Sequence, residues 1–413
     1  MIRKTGDIIV GLDVGTNKIC TVVAERTASG DLAILTIGHA PSQGLRKGVV
    51  VNVEKTVEAI EKSVSQAEEV AGVEINSVFA GIAGGHIQSI SSQGIVPISG
   101  NRGEITDEDI KKVHDAAKAV SLPLEREIIH VIPQEYRVDG QGGILEPKGM
   151  IGTRLEASVN IITASVTSVQ NIVKSINQAN IDVSGIILQP IASSEATLKP
   201  EEKESGVVLI DIGGGTTDYA IFIDGSLRHS GVLAIGGDHV TNDIKIRFNI
   251  PTARAEDVKK KFGCALSDMI GNHEEFILPG TFGYPARSML RKDLSDVINA
   301  RMSEILEIIK VEIDNTEYGN QIGAGIVMTG GASLMPGTLD LANHVFHVPV
   351  RLGIPRDVSG LNDNYQSPIY STGVGLVLFG LEHYVDQSYV MMDDPGIVVK
   401  VLHSMREMVK KYF

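Results

Sequence analysis

At 413 residues, with 43% apolar and 21% charged side chains, the chain is long enough for two or three folded domains and too apolar to be disordered. A net charge of −14 argues against nucleic-acid binding by the molecule as a whole, because phosphate contacts require a basic face, and leaves room only for a local basic patch. Cys20 and Cys264 lie in different halves without metal-ligand spacing, which argues against a disulfide framework or a zinc site and fits a reducing compartment.

The opening Met1-Ile-Arg-Lys-Thr-Gly runs directly into β-type residues, so no secretory leader is expected. Apolar runs fall short of the about 18 residues that span a bilayer, and the one at 373–381 is broken by glycine. Strand-like stretches at 8–13, 19–25 and 32–39, separated by Gly15-Thr-Asn and Ser29-Gly-Asp, predict a meander. At 53–71 a helix is expected, because Val57, Ile60, Val64 and Ala67 recur at steps of three and four. A strand at 77–82 then ends at Gly84-Gly85.

Residues 86–165 read as a separate insert, with strands at 86–98, 127–138 and 157–163 and a helix at 107–120 opened by a Thr106/Asp109 capping box. A helix at 166–178, a strand at 185–188 and a charged turn at 199–206, taken as an interdomain joint, follow. Alternation of strands and helices predicts an α/β fold.

The second half then repeats the first. Gly206-Val-Val-Leu-Ile-Asp211-Ile-Gly-Gly-Gly-Thr-Thr-Asp218 matches Asp7-Ile-Ile-Val-Gly-Leu-Asp13-Val-Gly-Thr-Asn-Lys18 as strand, Asp-x-Gly turn, strand. The two aspartates are 198 residues apart, far beyond the about 20 to 50 residues of a solenoid repeat, so two related domains are expected to face each other. A strand that ends in Asp and turns through glycines presents several backbone N–H groups to one anion. In the second turn Gly213, Gly214, Gly215 and the hydroxyls of Thr216 and Thr217 are candidate phosphate donors; Thr16, Asn17 and Lys18 complete the first, beside Gly15. Asp13 and Asp211 are candidates to hold water on a Mg²⁺ that bridges nucleotide phosphates. Neither turn is a Walker or Rossmann motif, since the glycine spacing and following helix are missing. A third glycine element, Thr329-Gly330-Gly331-Ala332-Ser333-Leu, leads from a strand into a helix beginning near Ser333 or Gly337; its bare backbone is read either as an adenosine contact or as an ordinary strand-to-helix loop.

Taken in order, these three elements resemble the phosphate 1, phosphate 2 and adenosine motifs of the actin, Hsp70 and sugar-kinase superfamily, over about residues 7 to 385. That resemblance implies an actin-like two-domain fold with ATP and Mg²⁺ in the cleft. It also assigns Gln189, in Leu188-Gln-Pro-Ile-Ala, either the orienting of an attacking water or a helix-cap amide's role. An amide is no strong general base, so slow hydrolysis at most is expected.

Within the superfamily, Gly44-Leu-Arg-Lys-Gly-Val-Val-Val-Asn, Ala80-Gly-Ile-Ala-Gly-Gly-His-Ile and Ile235-Gly-Gly-Asp-His-Val-Thr-Asn-Asp-Ile resemble the bacterial FtsA family. By that resemblance Gly236 and Gly237 lie near the phosphates, with Asn242 and Lys245 near the nucleoside. It also divides the chain: 1–85 and 166–200 subdomain IA, 86–165 the inserted subdomain IC, 201–235 and 306–385 subdomain IIA, 236–305 subdomain IIB, 386–396 a linker. Subdomain IIB is implied to bind the tail of the tubulin homologue FtsZ, and Arg247, Arg254, Lys259, Lys260, Lys261, Arg287, Arg291, Lys292 and Arg301 are its candidate cations.

Over 397–413 the pattern changes: Ile397, Val398, Val401, Leu402, Met405, Met408, Val409 and Tyr412 form one apolar face, and Lys400, Arg406, Lys410 and Lys411 against Glu407 leave the rest basic. Such a helix suits an anionic lipid surface, the alternative being a helix docked on the protein's own core. The expected function is that of a cell-division protein on the cytoplasmic face of the cell membrane. It polymerises head to tail with copies of itself, tethers FtsZ filaments and meets other division proteins, but no nucleic acid. A small-molecule kinase or ATPase of the same fold, or an actin-like pilus or cell-shape protein, are the competing readings.

Overall fold

The computed structural model describes residues 8–27, 30–280, 285–356, 358–361 and 365–385; the expected linker and amphipathic helix at 386–413 lie outside them. Numbered in chain order, the first lobe opens with β1 (Ile8–Val14), β2 (Lys18–Arg26) and β3 (Leu32–Pro41). A short hairpin, β4 (Leu45–Arg46) and β5 (Val49–Val50), leads to α1 (Val53–Ala71) and β6 (Ser77–Ile82). Helix α1 starts where the Asn52 side chain accepts from Lys55 N and stops at Gly72, whose φ of 68° few other residues adopt. Of the expected stripe, Ile60, Val64 and Ala67 are buried against the sheet together with Ala59 while Val57 is only half-buried, and Ile60 and Val64 contribute roughly 1.5–3 kcal/mol each.

The chain next builds a separate layer from β7 (Gln88–Pro97), α2 (Asp107–Lys118), β8 (Arg126–Val138), β9 (Gln141–Ile144) and β10 (Arg154–Ser165), in sheet order β7-β10-β8-β9. The capping box is present: Asp109 takes hydrogen bonds from the backbone and hydroxyl of Thr106, and Thr106 from Asp109 N. Two further bonds from Ser99 hold the Asp109 carboxyl well below the usual range. The chain returns through α3 (Val166–Gln178) and β11 (Asp182–Leu188) to complete the first sheet, β11-β6-β1-β2-β3.

Helix α4 (Gln189–Thr197) crosses to the second lobe. The stretch read as a charged turn is in fact a short helix, α5 (Pro200–Ser205): proline sits in its first turn, and Lys199 N donates to Glu202 Oε2 at 2.8 Å. Strands β12 (Val207–Ile212), β13 (Thr217–Ile223) and β14 (Ser226–Leu233) precede α6 (Gly237–Phe248), α7 (Thr252–Phe262), β15 (Glu275–Leu278), β16 (Arg287–Leu290) and α8 (Arg291–Asp314). The lobe closes with β17 (Ile326–Thr329), α9 (Thr338–Phe346) and β18 (Val350–Leu352), giving the sheet β14-β13-β12-β17-β18. A turn of 3-10 helix at Gly331–Leu334 separates β17 from α9, so the helix begins after Gly337 rather than at Ser333.

The two large sheets share one topology. In each, a central strand pairs antiparallel with the first arm of a meander and parallel with a strand reached by a crossover: β1 with β2 and β6, β12 with β13 and β17. The glycine-broken run near 373–381 is part of α10 (Ser371–Val385), which packs back into the first lobe. Its glycines permit that approach: a Cβ on Gly375 would lie 1.7 Å from the Ala192 carbonyl of α4. Among the described residues, no helix is long and apolar enough to cross a membrane.

Candidate functional site

The two Asp-x-Gly turns are built alike. Gly15 N donates to Lys18 O at 3.0 Å and Gly213 N to Thr216 O at 3.0 Å, so each turn closes a hairpin of identical length. In register, Asp13 stands opposite Cys20 and Asp211 opposite Asp218. The turns also meet. A Cβ on Gly214 would lie 2.3 Å from Asn17 Nδ2, and one on Gly215 2.6 Å from Thr16 Oγ1, so the bare second turn accommodates the side chains of the first. Asn17 Nδ2 reaches across to Asp238 Oδ1 at 2.6 Å.

Both aspartates are held from α4. Gln189 Nε2 donates to Asp13 Oδ1 at 3.0 Å, and one helical turn later Ser193 Oγ donates to Asp211 Oδ2 at 2.9 Å. Thr372 of α10 adds a 3.3 Å bond to the same Asp211 oxygen. Gln189 is fixed from the other side by β6, where a Cβ on Gly81 would come within 3.1 Å of its Cγ.

Burial raises the carboxyls. It pushes Asp13 up to about 6, with Lys18 opposing and Asp211 adding to the rise. Burial likewise lifts Asp211, against the Ser193 and Thr372 hydrogen bonds, and lifts Asp218 well above the ordinary value, with Asp211 adding. Asp218 is 4% exposed; Thr216 Oγ1 donates to its Oδ2 while Oδ1 has no partner. Lys18 is turned partly away, its Nζ 2.8 Å from the Ile369 carbonyl and 4.4 Å from the centre of the Tyr370 ring. A surplus of buried carboxylate with an open lone pair fits a divalent cation. Among the described residues no three His, Cys, Asp or Glu side chains converge as a metal cluster.

Other expected residues are placed as follows. Gly237 N and Asp238 N donate to the carbonyls of Gly213 and Gly214, so the start of α6 backs the second turn, and a Cβ on Gly236 would strike three of its carbonyls at 2.7–2.8 Å. Thr217 is fully buried and donates to Ile235 O, which makes it a shaper of the turn rather than a free donor. Gly330, with φ of 84°, lies against Asp211: a Cβ there would be 2.3 Å from Oδ1. Gly331 is exposed, Ser333 Oγ closes back on Gly330 O, and Ala332 faces Gly237. Asn242 and Lys245 are exposed on α6.

One of the cations read as receiving the tail is instead a buried polar group beneath Gly237, a role that sequence reasoning did not foresee. Lys259 of α7, 9% exposed, donates to Gly237 O at 3.0 Å and Thr241 Oγ1 at 2.8 Å and pairs with Glu256 at 2.7 Å. Its signal was a Glu-x-x-Lys spacing inside an ordinary charged helix, too common to stand out. Ser193 and Asp218 were missed too, though one lies a turn beyond Gln189 and the other ends the Asp211 motif. The cations read as one patch are partly engaged inside the fold: Arg291 pairs with Glu274, Arg301 with Asp243 and Glu304, and Arg287 donates to Phe248 O.

Comparison with known proteins agrees with this architecture. Residues 208–375 match the family model described as cell division protein FtsA, and residues 84–163 match the SHS2 domain inserted in FTSA. The cell division protein FtsA of Pseudomonas aeruginosa is 45% identical over 383 residues, covering 93% of this chain and 91% of that one. FtsA of Escherichia coli strain K12 is 39% identical over 394 residues, covering 94% and 93%. Among solved structures, the PilM-PilN type IV pilus biogenesis complex aligns with a TM-score of 0.66 at 17% identity, over 90% of this chain and 98% of that one. MreB5 of Spiroplasma citri bound to ADP aligns at 0.56 and 15% identity, over 92% and 99%. Two lobes of one topology, an inserted layer between β6 and α3, and relatives of this identity along nearly the whole chain place it in one group: the chain belongs to the FtsA family of cell division proteins.

Proposed function

We propose that the chain is a nucleotide-dependent division protein that binds Mg-ATP between its lobes, polymerises head to tail and tethers FtsZ filaments to the cytoplasmic face of the membrane. One observation carries the nucleotide reading: Asp13 and Asp211, from matching turns of two lobes, are gripped by Gln189 and Ser193 of the same helix. The nucleotide-bound MreB5 of similar fold supports it. In this reading the two turns offer backbone N–H groups to the phosphates, and Asp13 and Asp211, with Asp218 behind, hold water on Mg²⁺. The metal supplies charge neutralisation at the phosphates. Gln189 orients a water without taking its proton, so the protein works as a switch with slow turnover. Gly236 and Gly237 lie near the phosphates in this reading, with Asn242 and Lys245 on the same helix near the nucleoside.

The same reading gives 1–85 with 166–200 and 201–235 with 306–385 the role of paired lobes, 86–165 that of a contact module, and 236–305 that of the seat for the FtsZ tail. Residues 397–413 supply the membrane contact: eight apolar side chains on one face, each worth roughly 1.5–3 kcal/mol when buried, with lysines and arginine adding about 1 kcal/mol each near anionic headgroups. One such helix binds reversibly, so polymerisation and membrane binding reinforce each other. The test is calorimetry with Mg-ATP together with flotation on anionic vesicles. Binding of Mg-ATP by the full chain, and loss of flotation on deleting 397–413 with Mg-ATP binding retained, is expected. A full chain that binds no Mg-ATP, or a truncated chain that floats as well as the full one, refutes the corresponding half.

A further inference from the structure

The sheet of the inserted layer has two differently used faces. One packs on α2, with Val131, Leu155, Val159 and Ile161 in the layer's own core. The other presents His130, Ile132 and Gln134 of β8, alternate residues on one side of the strand, to the rest of the molecule. His130 Nε2 accepts a hydrogen bond from Leu188 N at 3.0 Å, and its ring meets Phe379 of α10 edge-on at 6.3 Å. Ile132 packs against the cores of both lobes. Gln134, 6% exposed, donates to the Leu227 and Arg228 carbonyls of β14, and fully buried Asn160 of β10 donates to Arg228 O at 3.2 Å. The layer thus grips the first lobe at the start of α4 and the second at β14, whose chain continues to Gly236 and Gly237 behind the second turn.

Leu188 is the residue that opens α4. Its apolar side chain makes no cap, and its own N–H precedes the helix and finds no acceptor there. His130 supplies that acceptor one residue before Gln189. Because Nε2 accepts, the ring is neutral with its proton on Nδ1. We propose that His130 is a positioning residue for Gln189: by holding Leu188 N–H it fixes the main chain at the head of α4, so that the Gln189 amide stays on Asp13. The inserted layer therefore sets how the water-orienting amide is presented, and a partner that shifts the layer shifts turnover. This rests on the reading of the cleft as an ATP site with Gln189 beside the attacking water.

The experiment uses the full-length chain and its variants His130→Phe, His130→Gln and Gln189→Ala. Three quantities are read: Mg-ATP affinity by calorimetry, steady-state hydrolysis, and hydrogen exchange of the peptide containing Leu188. For His130→Phe, an unchanged affinity, hydrolysis slower by about threefold to tenfold, and faster exchange at the head of α4 are expected, the range that one lost hydrogen bond supports. His130→Gln, whose Oε1 accepts in the place of Nε2, restores both. If the Phe variant's melting temperature falls, His130→Leu, which lacks both ring and acceptor, takes its place. Gln189→Ala slowing hydrolysis while the His130 variants leave exchange and turnover at wild-type values overturns the proposal and spares the ATP reading. A Gln variant that behaves like the Phe variant overturns it too, since size rather than the acceptor would then matter. Absent Mg-ATP binding, or hydrolysis indifferent to Gln189→Ala, overturns the underlying reading and the proposal with it.

Discussion

The first and second Asp-x-Gly turns have the same hairpin length and the same strand neighbours, yet one carries Thr16, Asn17 and Lys18 where the other carries Gly214, Gly215 and Thr216. The asymmetry has a steric reason. The turns face each other, and a Cβ on Gly214 or Gly215 would come within 2.6 Å of the first turn's side chains, so only one of the pair has room for them. Their support differs as well: the second is backed by the α6 amides and the first is not, while both aspartates hang from α4. A repeated motif has thus been divided into a polar half and a bare half around one shared helix.

Breaking that shared support should have the largest effect. Gly375→Ala places a methyl 1.7 Å from Ala192 O, a main-chain atom that cannot move without moving α4, and a destabilisation of about 3 kcal/mol or more is expected in chemical denaturation. A variant as stable as the wild type would mean that α10 and α4 do not act as one unit.

The first turn alone is tested by pH. With the Asp13 carboxyl at about 6 against an ordinary 3.8, the folded protein holds a proton over that window that the unfolded chain releases, so stability falls as pH rises through it. About 1 kcal/mol of the pH dependence between about pH 5 and about pH 7 is expected to disappear in Asp13→Asn without nucleotide, read from the melting temperatures at the two pH values. Parallel curves for the two proteins would show that Asp13 is not strained by burial.

The second turn is tested by Asp211→Asn, which keeps the shape and removes the charge. Mg-ATP binding should weaken by about tenfold to a hundredfold, the scale of a lost charge-assisted contact; unchanged affinity in calorimetry would detach Asp211 from the metal. The smallest effect concerns the meeting of the turns. Gly214→Ala meets the flexible tip of Asn17 at 2.3 Å and should cost about 1–2 kcal/mol, most of it recovered in the Asn17→Ala background. Additive costs in that double-mutant cycle would show that the turns do not touch in solution.

The sequence by itself determined the elements whose signals are local. The meander at 8–41, the α1 stripe, the Thr106/Asp109 box and the matching Asp13 and Asp211 turns were all readable, because period, capping chemistry and glycine placement act within a few residues. The division family was also legible in short motifs. The short helix at Pro200–Ser205 was misread as a turn because its proline and acidic residues serve equally well at a helix start. What only the tertiary structure decided is who touches whom across long separations. Ser193 and Thr372 on Asp211, Lys259 under Gly237 and His130 on Leu188 come from residues unremarkable in their own segments. Asn242 and Lys245, picked by motif position, lie exposed while buried Thr241 beside them joins the polar network, because the rotation of α6 is set by packing on α7 and α8 rather than by its sequence alone. Hydrogen bonds and steric contacts act over a few ångströms of space, and separations of 58 to 176 residues along the chain, as for His130 to Leu188 and Gln189 to Asp13, become that short only once the lobes have folded.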